Sequence, residues 1–184
     1  MILNLFFVLW FFLPAGLANA APVFAARIPI LSSLSYPLDG YLKFDGKPIL
    51  GEHKTIRGLL SGIIIGVLTA LIELYFYSHI PFIHKNVPIS YNLANSLLLG
   101  VLLGLGALTG DAVKSFFKRR FHIASGRSWF FFDQLDYIIG GIAFTFPFVS
   151  LTLSQYIVLI IVWFFLHPIA TGIGFLLKLK SSPV

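Results

Sequence analysis

Five long apolar runs, held apart by two substantial polar loops and two shorter connections, set the pattern of this chain of 184 residues. The runs cover residues 2–26, 58–77, 93–113, 135–153 and 155–177. Each is close to the roughly 20 residues that a helix needs to cross a hydrocarbon layer. The pattern predicts an all-α integral membrane protein, a bundle of about five transmembrane helices forming a single polytopic domain over 1–184. Pro14, Pro22, Pro147 and Pro168 fall inside or near the ends of the runs. Membrane helices tolerate proline where neighbours re-satisfy the freed carbonyl, and Pro14 and Pro22 are expected to break the first helix. Gly100–Gly104 and Gly106–Gly110 are two small-xxx-small pairs, which favour close helix packing.

Composition sharpens the picture. Hydrophobic residues make up 58% of the chain and charged residues 11%, where a soluble domain carries about 25% charged residues. The absence of cysteine removes disulfides, thiolate catalysis and Cys-ligated metals together. The 20 phenylalanines need no role beyond lipid contact and packing.

Charge distribution gives the orientation. Arg27, Lys43, Lys47, Lys54 and Arg57 follow the first run; Lys114, Lys118, Arg119, Arg120 and Arg127 follow the third; Lys178 and Lys180 lie in the tail. Of all the Lys and Arg residues, only Lys85 falls in the opposite loops. The positive-inside rule then puts the N-terminus outside, the C-terminus in the cytoplasm and both long loops on the cytoplasmic side. LANAAP, residues 17–22, could pass for a cleavage site after a secretory signal. No Lys or Arg precedes the apolar core, however, and Pro22 would sit just past the cut, so the first run is expected to be retained.

Three segments carry chemistry. In GDAVKSFFKRR, residues 110–120, Asp111, Lys114, Ser115 and Lys118 recur at i, i+3, i+4 and i+7 and share one face of a continuing helix. A carboxylate, a hydroxyl and two ammoniums suit a metal–polyphosphate complex. The alternative is a cytoplasmic stop signal with Asp111 paired to a lysine, although a carboxylate at the bilayer edge is costly without a purpose. In DQLD, residues 133–136, Asp133 and Asp136 also share a face. Asp133 can cap the helix and Asp136 can complement its dipole; with Asp111 they also make a set sufficient for one or two hard cations. The first loop offers two Asp-Gly turns, at Asp39 and Asp45, and then GEHKT, where Lys54 and Thr55 could meet phosphate. That last signal lacks the first half of a P-loop. His79 and His84 have a spacing unsuited to a shared metal, Glu73 is placed to reach the outer headgroups, and His167 precedes a possible kink at Pro168.

Taken together, Lys54–Thr55 and Gly58 before the second run, GDAVKSFFKRR and DQLD resemble the short, five-span CDP-archaeol synthases, relatives of the CDP-diacylglycerol synthases. ANAAP, FDGKPILGEHKTIRG and the GFLLKLK tail extend the resemblance over nearly the whole chain. The resemblance implies a Mg²⁺-dependent CTP:lipid-phosphate cytidylyltransferase of phospholipid biosynthesis. In this reaction the phosphate of digeranylgeranylglyceryl phosphate attacks the α-phosphorus of CTP, giving CDP-archaeol and pyrophosphate. It implies Asp111, Asp133 and Asp136 as metal ligands, and with Lys118 as catalytic residues. Lys54, Thr55, Gly58, Lys114, Ser115, Lys118, Arg119 and Arg120 would bind substrate. It further implies a multi-pass protein of the cell membrane, its active site facing the cytoplasm, with no nucleic acid and no obligate protein partner. Larger CDP-diacylglycerol synthases usually show arginine where this chain has Gln134, which favours the archaeol branch over a phosphatidate substrate. A transporter of anionic solutes is the rival class, but the chain shows no inverted repeat and its charges gather on one side.

Overall fold

A computed structural model describes residues 2–124 and 127–176. Six helices form in chain order: α1 (Ile2–Ala25), α2 (Ile56–His79), α3 (Pro81–Asn86), α4 (Leu93–Arg120), α5 (Phe132–Thr145) and α6 (Leu153–Leu176). A short 3-10 segment (Pro29–Leu34) follows α1, and the loop before α2 carries a two-stranded antiparallel hairpin, β1 (Lys43–Phe44) and β2 (Lys47–Pro48). Asp45 and Gly46 connect the strands with φ of 54° and 71°, the paired positive values of a tight two-residue turn.

The chain is a multi-pass membrane bundle. α1, α2, α4 and α6 are long and apolar enough to cross a membrane, and their outer faces expose residues such as Ile64, Ile72, Ile161 and Phe165. Inside, Phe7, Phe11 and Phe12 of α1 pack with Leu103, Tyr137, Ile138 and Trp163. Trp163 Nε1 donates to the Val8 carbonyl at 3.1 Å, and the Tyr137 hydroxyl donates to the Trp163 carbonyl at 2.8 Å. These bonds tie α1, α5 and α6 together without leaving the aromatic polar atoms bare.

Glycines set the closest approaches. A Cβ on Gly66 would lie 2.6 Å from the Gly100 carbonyl oxygen, and one on Gly110 only 2.0 Å from the Asp136 carbonyl oxygen. The small-residue pairs therefore do pack helix on helix, and the Gly110 contact sets the N-terminal turn of α5 directly beside Asp111.

Several expectations are corrected. α1 is not broken at Pro14 or Pro22 but runs through both. The Ala18 carbonyl, which Pro22 cannot bond, turns toward Gly62 of α2, the kind of neighbour that keeps a proline helix intact. The run expected at 135–153 holds a helix of 14 residues, about 21 Å long and short of a roughly 30 Å hydrocarbon core. It stops at Thr145, whose hydroxyl turns back onto the Gly141 carbonyl; Pro147, which has no N–H to offer, follows two residues later. Residues 146–152 link it to α6. Glu73 does not reach the headgroups: it is 2% exposed and accepts a 3.3 Å hydrogen bond from Tyr91. Lys178 and Lys180 lie outside the described residues.

Candidate active site

The ends of α1, α4, α5 and α6 that share the 36–56 loop surround a cleft of about 610 Å³. α4 stays helical through Arg120, so the predicted face of Asp111, Lys114, Ser115 and Lys118 exists, and all four line the cleft. α5 supplies Asp133 and Asp136, and the loop supplies Lys54 and Thr55.

Lys114 is the hub. Its Nζ lies 3.1 Å from Asp111 Oδ1, 2.7 Å from Asp133 Oδ1 and 2.5 Å from Asp136 Oδ2. Lys54 pairs with the other oxygen of Asp111. Asp133 Oδ2 accepts from the Trp129 N–H at 2.6 Å and from the Ser128 hydroxyl at 3.2 Å, and Lys118 Nζ lies 3.7 Å from its Oδ1. Burial alone would raise the pKa of Asp133, but Lys114, the Trp129 N–H and Lys118 outweigh it and hold the carboxyl below its ordinary value. Lys118 also donates to the Arg127 carbonyl. Three carboxylates are thus fixed around one ammonium, with further cations on the surrounding wall.

The remaining predicted residues divide. Thr55 caps α2 by accepting from the Gly58 N–H at 3.1 Å. The Ser115 hydroxyl donates to the Asp111 carbonyl at 2.9 Å, within its own helix. Arg119 lines the cleft beside Gly51, whose φ of 96° is a backbone conformation that residues with a side chain rarely adopt. Gly58 is buried against Pro22 of α1 and packs the start of α2 there. Arg120 points the other way: it donates to the Phe44 and Pro48 carbonyls, the latter at 2.7 Å, and its guanidinium lies over the rings of Phe44 and Phe116. It pins the hairpin to α4.

The loop itself is organised by Asp39, whose carboxylate accepts from the N–H groups of Tyr41, Leu50 and Gly51 at 3.2, 2.8 and 3.0 Å. Burial opposes ionisation here, but the three backbone donors prevail and lower its pKa. Sequence reasoning treated Asp39 only as a turn residue. It also passed over Arg57, Ser128, Asn19 and Thr171 as walls of the cleft, and His167 lines it too. Gln134 lies between the two α5 carboxylates at 1% exposure. Asn19, Arg57, Ser128 and Thr171 carry no local sequence signal, because elements distant in sequence bring them together around the cleft.

Among the described residues no three His, Asp or Glu side chains form a ready-made metal cage, since the point where the carboxylates converge holds Lys114 Nζ. The donor set is nevertheless the all-oxygen type that hard divalent cations take. Asp111, Asp133 and Asp136 all reach one point, so the residues fit such an ion in kind.

Comparison with known proteins agrees with this architecture. A family model described as CarS-like, CDP-archaeol synthase, matches residues 1–184. CDP-archaeol synthase of Thermococcus onnurineus is 37% identical over 183 residues, covering 98% of this chain and 97% of the relative. That of Methanocaldococcus jannaschii is 31% identical, covering 96% of each. A solved structure, described as an intramembrane enzyme for archaeal membrane lipids biosynthesis, superposes with a TM-score of 0.69 at 27% identity, over 88% of this chain and 90% of the other.

Proposed function

The chain belongs to the CDP-archaeol synthase family, and from that premise we propose how its cleft carries out CTP-dependent CDP-archaeol formation. The observation that carries the reading is the gathering of Asp111, Asp133 and Asp136 on Lys114 inside a cationic cleft at one end of a membrane bundle. CTP and a lipid phosphate are both polyanions, so joining them demands positioning and neutralisation above all.

Lys54, Lys118 and Arg119 offer the donors that screen the triphosphate and the incoming lipid phosphate. Arg57 and Arg127 extend the same wall. Lys114 keeps the three carboxylates converged and spares them mutual repulsion. Asp111, Asp133 and Asp136 would hold Mg²⁺, which supplies charge neutralisation at the phosphates when bound. A lipid phosphate oxygen bonds to the α-phosphorus, the bond from that phosphorus to the bridging β-oxygen breaks, and pyrophosphate leaves with the electron pair. No proton transfer is needed, so the chain needs no general base. With the basic loops on the cytoplasmic side, the cleft would take CTP from the cytoplasm and lipid from the inner leaflet. The lipid is the unsaturated ether phosphate rather than phosphatidate.

The test is pyrophosphate release by purified protein with CTP and Mg²⁺, supplied with unsaturated archaetidic acid, with phosphatidic acid or with no lipid. Release with the ether lipid is expected. Release with phosphatidic acid alone would overturn the lipid assignment, and release with neither, in folded protein, would overturn the cytidylyltransferase reading.

A further inference from the structure

At the opposite end of the bundle from the cleft, Glu73 of α2 is an acid outside the site described above. It lies about 9 Å short of the end of α2 at His79 and is 2% exposed. Tyr91 donates to its Oε2 at 3.3 Å, but Oε1 is buried without a hydrogen-bond partner. Among the described residues no Lys, Arg or His forms an ion pair with it. A carboxylate placed so within a membrane bundle is costly unless an opposite charge accompanies it.

Other oxygens gather at the same level. α2 and α4 touch at Gly66 and Gly100 and again at Gly62 and Gly104. Carried one turn further, this antiparallel register sets Ala70 against Ser96. Ser96 is fully buried, and its hydroxyl has no partner either. Helical side chains lean toward the N-terminus of their helix, so Glu73 leans back toward the level of Ser96. Thr69, buried one turn before Glu73 on the same face, spends its hydroxyl proton on the Ile65 carbonyl at 2.7 Å. Tyr91 spends its own on Glu73. What these two hydroxyls have left to offer is lone pairs. Glu73 Oε1 and Ser96 Oγ do not bond each other; they stand apart, as two ligands of one ion do.

We propose that Glu73, Ser96, Thr69 and Tyr91 form a site for one monovalent cation of the sodium class, distinct from the catalytic cleft. One carboxylate balances one positive charge, and a set made only of oxygens suits a hard ion. The ion joins α2, α4 and the segment before α4, and the Tyr91 hydroxyl also interacts with Trp10 of α1. Its role is to hold this end of the bundle closed.

The experiment is thermal unfolding of the purified full chain in detergent, free of divalent cations, in sodium chloride or in choline chloride of equal ionic strength. Binding of radioactive sodium is measured on the same samples. Saturating sodium is expected to raise the melting temperature of wild type by roughly 5 °C over choline, with one ion bound per chain. Glu73→Gln, which keeps the shape of the side chain, should lose both effects, and Ser96→Ala should weaken binding roughly tenfold. Asp136→Asn should keep both, which separates this site from the aspartates of the cleft. Should Glu73→Gln fail to fold, Ser96→Ala carries the test. Equal melting in the two salts, as a protonated carboxyl or an ordered water in place of the ion would give, overturns the proposal. So does sodium binding that is unchanged in both Glu73→Gln and Ser96→Ala, or that disappears in Asp136→Asn.

Discussion

Replacing Lys114 by methionine keeps most of the side-chain volume and removes the charge on which three carboxylates converge. In the native cleft, Asp111 Oδ1 and Asp133 Oδ1 lie 3.1 and 2.7 Å from the same nitrogen, which puts them less than about 6 Å apart. At an effective dielectric near 20, two such charges repel by about 3 kcal/mol, and Asp136 adds a third member. Lys54 still offsets Asp111 and Lys118 partly offsets Asp133, so the sum is not the full repulsion. Removing one partner of a buried ion pair typically costs about 3–5 kcal/mol, and Lys114→Met is expected in that range. The same variant frees the point of convergence for a cation. Mg²⁺ should therefore raise its melting temperature by more than it raises that of wild type, while CDP-lipid formation falls at least tenfold. The assay is thermal unfolding in detergent over a Mg²⁺ titration, run beside turnover. Melting unaltered by the substitution, or Mg²⁺ stabilising the variant less than wild type, would refute the argument that the Lys114 ammonium neutralises the three carboxylates at the point a cation would otherwise take.

Other predictions follow from single contacts. Gly110→Ala forces α4 and α5 apart, because its Cβ would sit 2.0 Å from the Asp136 carbonyl oxygen; a loss of about 1–3 kcal/mol in stability and a lower kcat are expected, measured by melting and turnover. Arg120→Ala should expose the Lys43–Pro48 hairpin to limited proteolysis, yet reduce kcat/KM less than Arg119→Ala does, since Arg120 holds hairpin carbonyls and Arg119 lines the cleft. Asp39 has a folded pKa below its ordinary value, so its contribution is complete above about pH 4 and disappears as pH falls through the folded value. Wild type should melt above Asp39→Asn at neutral pH, with the gap closing in acid; a gap that widens on acidification would contradict the assignment.

The sequence was most informative where a feature is local. Apolar runs located every long helix, and the i, i+3, i+4, i+7 spacing after Gly110 placed Asp111, Lys114, Ser115 and Lys118 on the face that lines the cleft. What it hid depends on rotation and on distant neighbours. Arg119 and Arg120 are equivalent in sequence, but about 100° of helical rotation sends one to the cleft and the other to the hairpin. Glu73 reads as a headgroup contact until Tyr91 is brought over it. Lys114 reads as one cation among several until α5 delivers two carboxylates to it, which happens because Gly110 lets the helices touch. The length of α5 was also concealed, since residues 146–152 are nearly as apolar as a helix interior and only Pro147 marks the change.

Asp111, Asp133 and Asp136 are proposed to act together in cytidylyl transfer. The most direct measurement is the rate of CDP-lipid formation from CTP and unsaturated archaetidic acid, over a Mg²⁺ titration, by wild type and by Asp136→Asn shown to fold as wild type. Wild type is expected to form product only with Mg²⁺, and the variant to lose at least about a hundredfold in rate. Product formed at the wild-type rate by Asp136→Asn, or formed equally well without divalent cation, would contradict that proposal.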